Sequence, residues 1–254
     1  MKILANDGIS QNGISALEAA GFEVITTTVA QEQLVNYINS NNIVGILVRS
    51  ATQVRKDIID NCPSLKLIGR GGVGMDNIDV AYAKEKGLHV INTPAASSES
   101  VAELVFAHLF GGVRFLYDSN RHMPLEGDSN FKKLKKSYAK GIELRGKTLG
   151  VIGFGRIGQA TAKIAIGIGM NVIFHDPFID SATIKLPFFD GQSVSFNFEN
   201  KTKEEVLRNS NFITVHVPAQ KEYVIGKKEF DIMQSGVGIV NAARGGVVDE
   251  VALI

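Results

Sequence analysis

Short apolar runs recur along the first part of this chain at 2–5, 23–27, 44–48, 66–68 and 89–92, each long enough for one buried strand. Between them lie stretches with helical spacing, around 13–20, 31–39, 56–61 and 80–86. Strands alternating with helices predict a parallel sheet covered on both faces, because a parallel pair needs a crossover and the crossover is usually a helix. Pro94 stops the fifth run, and 97–100 can cap a helix running to about Arg121. Its apolar positions Val101, Leu104, Val105 and Leu109 fit either a domain connector or an oligomer surface. Residues 122–141 are polar and carry Lys132, Lys133, Lys135, Lys136 and Lys140. They read as a solvated loop, with help in holding an anionic substrate as the alternative.

A second alternating unit starts at Gly146. An apolar run (Leu149, Val151, Ile152) leads into Gly153, Gly155 and Gly158, in the spacing G-x-G-x-x-G. A helical stretch with Ile157, Ala160, Ile164 and Ile168 follows, then a strand over 171–174. Beyond it come an alternating strand (Val194, Phe196, Phe198), a capping box from Thr202 to Glu205, a strand over 212–217, a helix over 227–234, a strand over 237–241 and the start of a helix at 250–254.

The strand–glycine–helix stretch points to a dinucleotide site. Gly153 permits the tight turn, Gly155 lets a pyrophosphate approach the backbone, and Gly158 lets the helix pack close to the strand. The unpaired N–H groups and positive dipole end of the helix then face the phosphates. Asp176 lies 23 residues after Gly153, where its carboxylate can accept both ribose hydroxyls and would repel a 2′-phosphate, so the cofactor is NAD rather than NADP. Parallel sheets of this kind bind ligands beyond the carboxyl ends of their strands. In the first unit two such ends are polar or glycine-rich: Arg49, Ser50, Ala51, Thr52, and Gly71, Gly72, Val73, Gly74.

Composition narrows the classes. A chain of 254 residues with 44% hydrophobic content suits one large or two ordinary domains. A net charge of +1 offers no field for nucleic acid or an anionic membrane, and no apolar run reaches the ~20 residues of a membrane span. Met1 leads straight into a strand with no signal peptide, and the single Cys62 excludes an internal disulfide framework, so the expected setting is the reduced cytoplasm. Five histidines are present, none paired with Cys, Asp or Glu at metal-ligand spacing, so no metal site is expected.

Arg244 is the leading candidate for chemistry. It follows an apolar strand on the cofactor side, and its planar fork suits a bidentate grip on a carboxylate; a structural strand-end salt bridge is the alternative. His216 precedes Val217 and Pro218 at a strand end facing the nucleotide, and reads as lining the pocket rather than transferring protons.

The glycine motif, with HDP, VHVP and NAARGG after it and VRSAT and GRGGVGMDNID before it, resembles the D-isomer-specific 2-hydroxyacid dehydrogenases across 1–254. The resemblance implies an α/β protein of two doubly wound parallel-sheet domains. A flavodoxin-like substrate domain (1–94) and a Rossmann NAD-binding domain (95–254) would flank a cleft, and the 97–121 helix would pair two copies as a homodimer. It implies that Arg156 and Ile157 contact the pyrophosphate and Asp176 the adenosine ribose. Val217, Ala242 and Ala243 would line the nicotinamide side. Val73 and Gly74 would offer backbone N–H groups to the substrate carboxylate, with Arg49 and Ser50 nearby, and Arg244 would be the catalytic arginine. The implied reaction moves hydride between NAD and C2 of a D-2-hydroxy acid. VRSAT and the local basic residues favour phosphoglycerate over hydroxypyruvate and glyoxylate.

Two departures accompany the resemblance. The family's catalytic Glu and His are expected farther beyond the arginine, and the ten residues after Arg244 hold no histidine and, as their only glutamate, Glu250 at the start of the helix expected there. Ser97 stands where relatives commonly carry an asparagine near the hinge. The chain therefore reads as a truncated gene product lacking the C-terminal part of its NAD domain. A nucleotide-sensing or interaction protein that keeps NAD without catalysis is the second reading.

Overall fold

The computed structural model describes all of residues 1–254 and divides into two compact units, Met1–Ser97 and Ser98–Ile254. In the first, the order is β1 (Lys2–Ala5), α1 (Gln11–Ala19), β2 (Glu23–Ile25), α2 (Leu34–Ser40), β3 (Ile43–Val48), α3 (Lys56–Asn61), β4 (Leu67–Arg70), α4 (Val80–Glu85) and β5 (His89–Asn92). All strands pair in parallel in the order β2-β1-β3-β4-β5, the flavodoxin-like arrangement, which reverses direction between β1 and β3. Leu4, Ile43, Ile46 and Ile68 from the strands meet Leu34, Ile38 and Ile58 from the helices in one fully buried core.

The second unit runs α5 (Ser98–Val113), α6 (Leu116–Tyr138), β6 (Thr148–Ile152), α7 (Arg156–Gly167), β7 (Asn171–His175), β8 (Ser181–Pro187), β9 (Ser193–Glu199), α8 (Lys203–Asn209), β10 (Phe212–Val215), α9 (Lys227–Phe230), β11 (Gly238–Asn241) and α10 (Glu250–Leu253). Its main sheet is parallel in the order β11-β10-β6-β7, with the reversal between β6 and β10. Those two central strands are almost wholly buried, as strands covered on both faces must be. The buried face of α7 consists of small residues, Gly158, Ala160, Thr161, Ala162 and Ala165, which bring the helix axis close to the sheet. No single helix is long and apolar enough to cross a membrane.

Three elements differ from the sequence reading. The helix expected over 97–121 is two helices, broken where Phe115 takes a left-handed φ of 53°. The stretch read as a solvated loop, 122–141, is mostly α6, so its lysines lie on helix and on the turn that follows. α6 itself bends at Asn130, and the bend brings His122 back to within 3.3 Å of the Tyr138 hydroxyl. Finally, the alternating strand around Phe196 is one arm of an antiparallel hairpin, β8 pairing β9 from Ser181↔Glu199 to Pro187↔Ser193. Ile184 of that hairpin is buried in the same core as Phe154 and Phe174.

Candidate functional site

Strand register levels the carboxyl ends of the second sheet. Ile152 pairs with His175 on one side and Val215 on the other, and Val215 pairs with Asn241. The next residues, Gly153, Asp176, His216 and Ala242, therefore stand side by side at the edge where the strand order reverses. That is the position at which open α/β sheets take ligands.

Each glycine of the motif has a separate physical reason. Gly153 has φ +90°, and a Cβ there would lie 2.6 Å from the His216 carbonyl oxygen, so both conformation and space demand glycine. A Cβ on Gly158 would lie 2.2 Å from the Gly153 carbonyl oxygen. A Cβ on Gly155 would meet nothing within 4 Å. The space before the first turn of α7 is thus open, and its backbone N–H groups face outward from a helix of 12 residues. This cradle fits a pyrophosphate. Phe154, between the first two glycines, is fully buried and stacks on Phe174 with ring centroids 3.9 Å apart, which anchors the turn to β7. Arg156 and Ile157 open α7, Arg156 exposed and Ile157 half-buried.

Asp176 is only 8% exposed. One carboxylate oxygen accepts the Phe154 N–H at 2.7 Å and the other accepts the Phe178 N–H at 2.9 Å. Each oxygen keeps a second acceptor direction for a ribose hydroxyl. Its main chain is held as well: Asn200 accepts the Asp176 N–H at 3.0 Å and donates to the Asp176 carbonyl at 2.8 Å.

His216 points into the protein. Its Nε2 lies 3.0 Å from the Thr214 hydroxyl and 3.3 Å from that of Thr161 on α7, while Nδ1 is buried without a hydrogen-bond partner. Burial pulls the imidazole down to about 4, so the ring is neutral at physiological pH. After it, Val217 is half-buried and Pro218 exposed. Beyond β11, Asn241 shapes the turn that carries Ala242, Ala243 and Arg244: it accepts the Ala243 N–H at 3.1 Å and donates to the Arg244 carbonyl at 2.9 Å. The half-buried Arg244 guanidinium donates to the Ala243 carbonyl at 2.8 Å.

In the first unit a cavity of about 700 Å³ opens at the carboxyl ends of β1, β3, β4 and β5, lined among others by Asp7, Arg49, Arg70, Asn92 and Thr93. Of the four expected substrate residues, Arg49 lines it and Ser50, Val73 and Gly74 do not, although Asn92 donates to the Val73 carbonyl at 2.7 Å. Three polar residues that sequence reasoning passed over hold these loops. Asp7 accepts the N–H groups of Arg49 and Thr52 and the Thr52 hydroxyl. Burial pushes its carboxyl up, but those bonds outweigh it and hold the group below the usual carboxylate value. The buried Asn77 donates to the Arg49 and Thr52 carbonyls and accepts from Arg70 Nε, which also donates to the Arg49 carbonyl. The signal for Asp7 was available: it is an acid just beyond a strand end, two residues after β1, as Asp176 is one residue after β7.

Comparison with known proteins bears on both units. The family described as D-isomer specific 2-hydroxyacid dehydrogenase, NAD binding domain, matches residues 106–254. The chain is 39% identical to the D-3-phosphoglycerate dehydrogenase of Methanocaldococcus jannaschii over 255 residues, covering 100% of this chain and 46% of the relative. It is 37% identical to the hydroxypyruvate reductase of Thermotoga maritima, covering 99% and 77%. The solved structure of NAD+-bound 3-phosphoglycerate dehydrogenase from Entamoeba histolytica superposes with a TM-score of 0.74 at 29% identity, covering 100% of this chain and 75% of that one. The chain thus spans about half the length of the Methanocaldococcus relative.

Proposed function

This chain belongs to the D-isomer-specific 2-hydroxyacid dehydrogenase family, and from that premise we propose that it serves hydride transfer between NAD and C2 of a D-2-hydroxy acid. The observation that carries the reading is the open cradle before Gly155, level with Asp176 at the point where the strand order reverses. NAD, when bound, accepts or returns the hydride. The N–H groups of the first turn of α7, with Arg156 and Ile157, hold the pyrophosphate. Asp176 takes the adenosine ribose hydroxyls, and His216, Val217, Pro218, Ala242 and Ala243 line the nicotinamide side. Arg244 grips the substrate carboxylate and polarises the C2 oxygen.

Phosphoglycerate is our first choice of substrate, because Arg49 and Arg70 line one cavity and a substrate with two anionic groups uses two guanidiniums. Hydroxypyruvate and glyoxylate are the alternatives, the former being the substrate named for the Thermotoga relative. We place the reaction in cytoplasmic serine synthesis. Val73, Gly74 and Ser50 are proposed to offer polar main-chain or side-chain groups to the substrate carboxylate.

The proton is a separate matter. In the Ser98–Ile254 unit, His216 is neutral and turned to Thr161 and Thr214, the His175 ring is bonded to the Lys201 carbonyl, and His108 and His122 lie on α5 and α6. None is arranged as a general acid, a role worth ~10²–10⁴-fold in rate. We therefore expect these 254 residues by themselves to bind NADH and to turn over negligibly. The test is NADH fluorescence titration, with NADPH as competitor, followed by NADH oxidation with 3-phosphohydroxypyruvate, hydroxypyruvate and glyoxylate. Absence of NADH binding would remove the dinucleotide reading. Robust turnover would return His216 to consideration as the acid.

A further inference from the structure

The hairpin β8–β9 leaves the sheet just after Asp176 and comes back at Asn200, and the return is tied to the departure. The Asn200 side-chain amide pairs with both main-chain groups of Asp176, accepting its N–H at 3.0 Å and donating to its carbonyl at 2.8 Å. The Asn200 N–H donates to the Asp180 carbonyl at 2.8 Å, and the Lys201 N–H donates to the Phe174 carbonyl at 2.9 Å. Next to this, His175 Nδ1 donates to the Lys201 carbonyl at 2.8 Å. One side chain thus completes the hydrogen bonding that a neighbouring strand would give the end of β7. No strand lies there, since β7 is the last strand of its sheet.

We propose that Asn200 is a positioning residue for the dinucleotide, acting through Asp176: its two-point clamp fixes the acid's main chain so that the carboxylate keeps its lone pairs toward the adenosine ribose. The inference rests on the NAD reading of this site. With both main-chain groups held by Asn200 and both carboxylate oxygens held by backbone N–H groups of Phe154 and Phe178, Asp176 has a single aim. Removing the clamp leaves the main-chain N–H and carbonyl of a residue that is 92% buried without partners, and the end of β7 relaxes to find water. The ribose hydroxyls then meet a carboxylate whose direction is no longer fixed, and discrimination against a 2′-phosphate weakens with it.

The experiment compares wild-type protein with Asn200→Ala, Asp176→Ala and the double variant, by NADH and NADPH titration. Asn200→Ala is expected to weaken NADH binding about tenfold and to narrow the NADH preference over NADPH. On the Asp176→Ala background the same change should cost less than twofold, because the residue it acts through is gone. Should Asn200→Ala fold poorly, Asn200→Asp serves. Ionised, it loses the donor to the Asp176 carbonyl; protonated, it is shaped like the amide and regains it. At neutral pH the new carboxyl is ionised, so NADH affinity should fall about as far as in Asn200→Ala, and an affinity within twofold of wild type would overturn the clamp. Wild-type binding of NADH with an Asn200→Ala affinity within twofold of it would overturn the clamp, as would an undiminished loss on the Asp176→Ala background. Wild-type protein that binds no NADH would overturn the NAD reading itself and the clamp with it, and the first titration separates that case from the others.

Discussion

His216 illustrates how surroundings can take a titratable side chain out of chemistry. In an unfolded chain the imidazole takes up a proton as pH falls through 6.5, whereas in the folded protein burial holds it neutral down to about 4. Between those values the unfolded state binds more protons. The stability is therefore full above pH 6.5 and is lost as pH drops toward 4, by on the order of 3 kcal/mol from this one group. Urea melts at pH 7 and 4.5 should show a smaller acid-induced loss for His216→Gln than for wild type; equal losses would mean that the ring titrates normally. Two glycines three residues apart offer a sharper contrast. A Cβ on Gly158 strikes the Gly153 carbonyl, backbone that cannot step aside, so Gly158→Ala should cost about 2–3 kcal/mol of stability. Gly155 has room and an ordinary φ of −67°, so Gly155→Ala should melt like wild type yet lose most NADH affinity, because the added methyl occupies the phosphate cradle. Loss of stability in Gly155→Ala, or normal NADH binding by it, would contradict the assignment.

At the scale of elements, what the sequence made legible is what depends on local periodicity. The strand–helix alternation, the glycine turn, the capping box at Thr202 and Glu205, and the place of Asp176 all follow from short-range spacing, and each is present. Chain breaks and side-chain ties were not legible, for physical reasons. The kink at Phe115 follows Gly111 and Gly112 in the last turn of α5, a pair the apolar spacing around it masked. α6 carries Pro124 and Gly127, which argue against a helix by propensity, and a lysine run whose like charges repel, and it forms nonetheless. β8 was hidden because only Ala182, Ile184 and Leu186 of its residues are apolar and Pro187 closes it. Asn200, Asn77 and Asp7 act through bonds to main chain 24, 25 to 28 and 42 to 45 residues away, a proximity created only by the fold. Asp7 makes that last class testable. It ties the loop after β3 that carries Arg49 and Ser50, so Asp7→Ala should cost about 1–2 kcal/mol by removing the acceptor of the N–H and hydroxyl of the buried Thr52 and of the Arg49 N–H. Amide exchange over 49–52 should speed up while β1 itself stays protected. Unchanged exchange there would show that the loop is held by Asn77 alone.

At the scale of the whole molecule, the surface of α5 and α6 stands out. One face of α5 is buried through Ala102, Val105, Phe106 and Leu109, so the helix is already committed to the core of its unit. Its other face exposes Leu104 and Phe110, and α6, which buries no residue, exposes Leu116, Tyr117, Leu125 and Phe131. Scattered apolar side chains on a surface need no explanation, but six on two consecutive helices are a concentration of apolar surface in water. A second copy of the chain is the economical cover, because a self-complementary patch closes with two-fold symmetry and leaves no unpaired surface. We therefore predict a homodimer through α5 and α6, with light scattering at micromolar concentration giving twice the 27.4 kDa of one chain. Replacing Leu104 and Tyr117 together by Glu should give a monomer whose melting temperature, at matched low concentration, is close to that of wild type, since neither side chain is buried within the chain. A monomeric wild type would remove the interface. A dimer that survives both charges would move it to another surface.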